Sequence, residues 1–205
     1  MLTFAEFLAE TIRKGEAVNT LFEERLFDLI SILHRITSPL MAEAVPHEVI
    51  GGLAVLIHLE EADPSQSTLT RDVDLMIRRE DLEKVKTIAE QHGFRFRHSA
   101  SLDMLLYGPS EKARNAVHLI FTGEKVKPDQ ATANPPIQPE KKSIHGCDVL
   151  VIPVADLVRM KLSSFRDKDR VHVRAMDAAG LIRVEIERGL TGELQSRLRQ
   201  VRETE

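Results

Sequence analysis

The chain has 205 residues, 42% of them hydrophobic and 29% charged, values that exclude a disordered segment or a fibrous repeat. A net charge of −4 and an aromatic content of 4% argue against a protein that coats nucleic acid through bulk charge or a row of stacking rings. The single cysteine, Cys147, forms no intrachain disulfide and fits a reducing compartment. There is no basic-then-apolar leader, and no apolar run approaches the roughly 20 residues of a membrane span, so a cytoplasmic globular protein is expected.

In chain order, residues 3–14 and 17–34 are predicted as two helices. The second carries Leu21, Leu26, Leu29, Ile30 and Leu33 at helical spacing; Gly15 punctuates the first helix and Ser38-Pro39 closes the second. His47–Ile50 is a short strand that runs into Gly51-Gly52, and a helix covers Leu53–Glu61. Residues 72–78 alternate Val73, Leu75 and Ile77 against Asp72, Asp74 and Met76, the pattern of a half-buried strand. Glu80–His92 reads as an amphipathic helix stopped by Gly93, followed by strands at Phe94–His98, Met104–Tyr107 and Ala116–Thr122.

Residues 123–144, with Pro128, Pro135, Pro136 and Pro139, form a connection of unusual length for a compact domain, which makes it functional or mobile. Val149–Ile152 is a last strand, and Pro153 opens the helices that continue to the C-terminus. The expected architecture is α+β: a mixed sheet with flanking helices in residues 46–152, a helical segment before it (1–45) and another after it (153–205), packed as one unit.

Residues i and i+2 of a strand share a face, so Asp72 and Asp74 project together and repel unless a cation lies between them. An oxygen pair of this kind suits Mg²⁺, which takes one or two carboxylates plus phosphate oxygens and water. Gly51-Gly52 stands at a strand-to-helix junction, where backbone without Cβ approaches a ligand closely and free N–H groups favour a phosphate. Further along, Val154, Leu157, Val158, Leu162 and Phe165 form a helical apolar stripe with Lys161 in its middle. That lysine must be paired, reach a polar cavity, or snorkel to water. Between Arg159 and Arg174 stand six Lys or Arg (159, 161, 166, 168, 170 and 174) against Asp167 and Asp169, either a phosphate-holding patch or a solvated face. His145-Gly146-Cys147 lacks partners at metal spacing and is given no function.

The order Ile50-Gly51-Gly52, then Thr70-Arg71-Asp72-Val73-Asp74-Leu75, resembles the nucleotidyltransferase superfamily, with nineteen residues between Gly52 and Asp72. The segment from Leu157 to Asp169 looks like the C-terminal motif of the abortive-infection (AbiEii-like) toxin branch. The resemblance implies transfer of a nucleoside monophosphate from a nucleoside triphosphate, with Mg²⁺ or Mn²⁺ on Asp72 and Asp74. It implies nucleotide contacts at Gly51, Gly52, Arg71, Lys161, Arg166 and Lys168, with Asp169 orienting those cations. Asp72, Asp74 and Lys161 are then the catalytic candidates; the acceptor is an RNA, a protein or a small molecule, and a cognate antitoxin is the partner at branch level.

The pattern departs where active members place a third carboxylate. His118 occupies that position and is a poor Mg²⁺ ligand; Glu124, just beyond the strand, substitutes only if the chain bends back. Alanine follows Arg174, where an acid fits the branch better, and Asp177 lies two residues on. The alternatives are a degenerate nucleotide-binding member and a helical interaction protein.

Overall fold

The computed structural model describes residues 4–67, 70, 72–99, 101–108 and 116–203, with side chains from residue 23 onward. Arg71 and the side chain of Leu21 lie outside the described residues. The first element is a single helix, α1 (Phe4–Ala42), where the sequence predicted two. A glycine weakens a helix by about 1 kcal/mol relative to alanine without ending it, and the helix continues through Gly15. It also continues past Ser38-Pro39, because Leu29, Leu33, Ile36 and Leu40 form one buried stripe that holds the last turns on the core.

Strand β1 (His47–Ile50) leads directly into α2 (Gly51–Ala62), then β2 (Val73–Ile77) and α3 (Leu82–Gln91). Strands β3 (Phe94–Ser99), β4 (Leu102–Tyr107) and β5 (Ala116–Phe121) follow, then β6 (Glu140–Ile144) and β7 (Cys147–Val151). Helices α4 (Val154–Ser164), α5 (Asp167–Ala178), α6 (Val184–Arg188) and α7 (Gly192–Glu203) complete the described chain. The strands form one mixed sheet in the order β3-β4-β5-β2-β1-β7-β6. The pairs β1–β7 and β2–β5 are parallel; the others are antiparallel. The mixed sheet with flanking helices is the architecture expected from the sequence.

Several element ends shift by one or two residues from expectation, and two further differences have a local cause. The connection predicted over 123–144 ends in β6, which pairs with β7 in a hairpin. His145 and Gly146 form its two-residue turn, with φ of 46° and 79°, the positive values that a primed hairpin turn requires. Pro153 sits at the N-cap of α4 rather than in its first turn, and its carbonyl accepts from Leu157.

The register decides what reaches each face, since directly paired residues share one. Ile50 pairs with Asp74 and Glu48 with Met76 across β1 and β2. Asp74 pairs with His118 and Met76 with Ile120 across β2 and β5. One face of the sheet therefore carries Glu48, Ile50, Asp74, Met76, His118 and Ile120. Met76, read from the alternation as half-exposed, is fully buried. The proline-rich connection covers this face and is tied down along its length. Asn134 donates to the Phe121 carbonyl at 2.9 Å, Thr122 donates to the Pro135 carbonyl at 2.6 Å, and Gln138 N–H donates to Glu48 Oε2 at 3.2 Å.

Glu48 is fully buried beneath that connection, and its Oε1 has no partner. Burial raises its carboxyl to about 7; the Gln138 hydrogen bond opposes this and the charge of Asp156 adds to it. A folded-state value above the unfolded one means that the folded chain prefers the protonated acid. The resulting penalty is absent below the ordinary value of 4.5, grows as pH rises, and is complete above about 7. Glu48→Gln keeps an acceptor for Gln138 and carries no charge. It is expected to raise stability at pH 8 by on the order of 2–3 kcal/mol and to change it little at pH 5, read by urea unfolding at both values. An equal effect at the two pH values would contradict ionisation of a buried Glu48.

Candidate functional site

The junction of β1 and α2 is shaped around Asp74. Gly51 has a φ of +73°, in the left-handed region where a side chain is strained, and a Cβ built on it would lie 2.0 Å from Asp74 Oδ2. Only glycine lets the carboxylate rest there. Gly52 has another reason: its Cβ would meet Thr70 Oγ1 at 2.6 Å and His172 Cε1 at 3.5 Å. Gly52 is thus buried in the first turn of α2 and does not line the cavity next to it. No side chain caps that first turn.

Asp72, just ahead of β2, and Asp74 within it both line a cavity of about 300 Å³, together with Gly51. Three further groups of residues complete its walls. His118 comes from β5; Lys161, Ser164, Arg166, Lys168 and Asp169 come from α4, α5 and the bend between them; Val126, Lys127, Asp129 and Gln130 come from the connection. Of the residues singled out in the sequence, Gly51, Asp72, Asp74, His118, Lys161, Arg166, Lys168 and Asp169 meet around this one space.

His118 Nδ1 lies 3.0 Å from Asp74 Oδ1. An ionised carboxylate only accepts, so Nδ1 carries the hydrogen. The hydrogen bond to Asp74 raises the imidazole above its ordinary value; burial opposes the rise, the charges of Asp74 and Asp72 add to it, and Lys168 opposes it. Glu124 does not reach this cavity. It makes two hydrogen bonds with Arg79, at 2.8 and 2.6 Å, which hold its carboxyl below the usual range. Arg79 in turn lies over the Phe121 ring, 3.4 Å from its centroid. Glu124 is thereby held in a different, smaller cavity with His98 and Asp103.

The bend between α4 and α5 builds the cationic wall. Phe165 caps α4 in the left-handed conformation, with a φ of 48°, and Arg166 begins α5. The turn brings Asp169 back to Lys161, whose Nζ lies 3.2 Å from Asp169 Oδ1. Lys161 is 5% exposed and Asp169 fully buried, so the lysine is paired rather than snorkelling. Asp169 also accepts from Arg166 Nε at 2.7 Å, Arg166 Nη2 at 3.2 Å, the Arg166 backbone N–H at 3.3 Å and the Ser164 hydroxyl. Burial raises the Asp169 carboxyl, but the Arg166 hydrogen bond, the Lys161 charge and the Ser164 hydrogen bond outweigh it and bring it to about 2.

The rest of the basic run divides into a patch and a solvated face. Arg159 pairs with Asp156 and Arg170 with Asp167, while Arg166 and Lys168 are exposed at the cavity. Asp177 pairs with Arg202 at 2.8 and 2.9 Å and so joins α5 to α7, away from the cavity. Sequence reasoning missed Lys127, Asp129, Ser164 and His172. The length of the connection was the signal for the first two. His172, three residues beyond Asp169, is buried with Nδ1 unpartnered, and burial, with the Lys161 charge adding, lowers it to about 4.

Removing one partner of a buried ion pair leaves an uncompensated charge. Asp169→Ala is therefore expected to cost about 3–5 kcal/mol in urea unfolding. A loss of less than about 1 kcal/mol would show that the Lys161 ammonium reaches water.

No family model and no curated protein matches the chain. Solved structures do. The antibiotic-resistance factor ANT(2'')-Ia matches over 84% of this chain and 90% of its own, at 14% identity and a TM-score of 0.55. An antigenic nucleotidyltransferase-like protein from Paracoccidioides brasiliensis matches over 85% of this chain and 87% of its own, at 16% identity and a TM-score of 0.55. The Megavirus polyadenylate synthase matches over 89% of this chain and 39% of its own, at 9% identity and a TM-score of 0.52. At these identities the likeness is one of architecture: the chain has a nucleotidyltransferase-type fold.

Proposed function

We propose that the chain is a Mg²⁺-dependent nucleotidyltransferase, able to use Mn²⁺, that moves a nucleoside monophosphate from a nucleoside triphosphate to an acceptor hydroxyl. The observation that carries this reading is the meeting of Asp72, Asp74, Gly51 and the Lys161, Arg166 and Lys168 cations around one cavity. The donor set fits the metal: two carboxylates leave the remaining positions of a hard, oxygen-seeking cation to phosphate oxygens and water. The left-handed Gly51 makes room for the Asp74 carboxylate at the helix start, and the uncapped first turn of α2 leaves N–H groups suited to a phosphate. Bound Mg²⁺ supplies Lewis-acid charge to the polyphosphate.

The chain's own residues then have distinct tasks. Asp72 and Asp74 hold the cation. Arg166 and Lys168, exposed at the cavity, contact the triphosphate, and the buried Lys161 adds positive potential from behind them while Asp169 fixes its position. Arg71 is proposed as a further nucleotide contact on the resemblance alone. In the transfer, the acceptor oxygen bonds to the α-phosphorus, the bond from that phosphorus to the bridging oxygen breaks, and pyrophosphate leaves with the negative charge. The acceptor proton passes to solvent. Positioning and charge stabilisation supply most of the rate in such transfers.

The acceptor is the finer part of the proposal. Among the similar structures, ANT(2'')-Ia is seen with adenylyl-2''-tobramycin and another protein is a polyadenylate synthase, so both a small molecule and an RNA are candidate acceptors here. A toxin-like role with an RNA acceptor and a cognate antitoxin rests on the 157–169 segment and its likeness to the abortive-infection branch. A cytoplasmic setting rests on the lone Cys147. No helix among the described residues is long and apolar enough to cross a membrane. Buried residues from Leu26 to Val201 form a single cluster, which supports reading the segments 1–45, 46–152 and 153–205 as one unit.

One observation favours a second reading, a nucleotide-binding protein without catalysis: His118 stands where a third acid is expected. Thermal denaturation with each nucleoside triphosphate and Mg²⁺ separates the cases. At a hundredfold excess over Kd, binding adds about 2.7 kcal/mol, roughly 5–10 °C in Tm for a chain of this size. The wild type is expected to show this shift and Asp74→Asn to lose it; equal shifts in both would remove Asp74 from the metal site. Pyrophosphate release from the wild type with candidate acceptors supports transfer, and its absence alongside a retained shift supports the binding-only reading.

A further inference from the structure

The surroundings of Asp74 bear on how many cations the site takes, a question that presupposes the nucleotidyl-transfer reading above. We propose that the site takes a single divalent cation with its nucleotide, not a close pair, and that His118 sets that number.

Two-cation phosphoryl-transfer sites hold their metals about 3.5–4 Å apart, which calls for a carboxylate free to give an oxygen to each, or for a third acid. Asp74 is the middle carboxylate here, and both its oxygens are committed in direction. Oδ2 lies against Gly51, at the start of α2. Oδ1 accepts the His118 Nδ1–H at 3.0 Å. The place beside Oδ1 where a second cation would sit is filled by a hydrogen-bond donor, and that nitrogen has no lone pair to offer a metal.

Nothing else nearby restores the missing acid. On this face β5 presents His118 and Ile120, and the next strand presents Met104 opposite His118. Glu124 is held by Arg79. Asp129 lines the same cavity from the connection, but among the described residues no group of three or more His, Cys, Asp or Glu is placed to hold a metal ion. Lys127, Lys161, Arg166 and Lys168 also line the cavity, so cationic side chains stand there without a second metal.

The test counts metal, not turnover. Wild-type protein is dialysed to equilibrium against Mn²⁺ with the α,β-methylene analogues of ATP, GTP, CTP and UTP, each in turn. The ratio of bound Mn²⁺ to bound nucleotide is measured, and the Mn²⁺ electron paramagnetic resonance spectrum is inspected for coupling between neighbouring ions. The expected ratio is one, with an uncoupled spectrum. His118→Asp replaces the donor with a ligand oxygen and is expected to raise the ratio to two with a coupled spectrum. His118→Asn keeps an N–H donor beside Asp74 and is expected to stay at one, which separates the loss of the ring from the gain of an acid. A ratio of two in the wild type overturns the proposal, as does a ratio of one in a folded His118→Asp. Absence of bound nucleotide in the wild type with all four analogues overturns the nucleotidyl-transfer reading itself, and this inference with it.

Discussion

Asp74 has one oxygen against a glycine and the other on an imidazole, and the rest of the site is arranged to keep it so. The register of β1 against β2 sets Ile50 opposite Asp74, so the carboxylate emerges beside the residue that begins α2. That residue must be glycine twice over, because its φ of +73° strains any side chain and because a Cβ would fall on the carboxylate itself. The register of β2 against β5 brings His118 to the other side of the same carboxylate. The placing of this carboxylate at the mouth of a helix thus follows from two strand pairings and one missing side chain.

The cationic wall depends on a second, buried constraint. An ammonium and a carboxylate both hidden from water are costly unless each remaining hydrogen-bonding position is filled. Here Ser164 and Arg166 fill them around Asp169, and the Lys161 ammonium completes the set. The geometry needs a sharp reversal between α4 and α5, supplied by Phe165 in a left-handed conformation, a strain on the order of 1–3 kcal/mol for a residue other than glycine. Contacts of Arg170 and Arg197 over the Phe165 ring, at 4.6 and 5.2 Å, and the Phe165 N–H to Lys161 carbonyl hydrogen bond help to hold it there. The connection after β5 lends Val126, Lys127, Asp129 and Gln130 to the cavity lining. Its backbone and the Asn134 side chain are fixed to the end of β5, to Ser163 and to the buried Glu48.

Much of this was legible in the residues. Alternation around Asp72 and Asp74, the glycine pair at a strand end and a lysine in an apolar stripe are local patterns, and each marks a side chain that lines the cavity or supports it. What stayed hidden was tertiary. The two glycines look alike in sequence, yet one accommodates Asp74 and the other Thr70 and His172. Glu124 lies three residues beyond β5 and reads as a spare acid, but Arg79, 45 positions earlier, captures it. Helix α1 continues through its glycine, whose propensity cost is small, and past its proline, where burial of Leu33, Ile36 and Leu40 outweighs local punctuation. The irregular segment after β5 carries no periodicity, so that it lies over the sheet and lends Lys127 and Asp129 to the cavity could be read only as an excess of length.

The most direct measurement is a crystal structure with Mn²⁺ and the nonhydrolysable analogue that stabilises the protein most, using anomalous scattering to locate the metal. The account expects a peak within about 2.0–2.3 Å of oxygens from both Asp72 and Asp74, with the polyphosphate running from Gly51 toward Arg166 and Lys168. A nucleotide bound elsewhere, or a metal peak that touches neither aspartate, would contradict it.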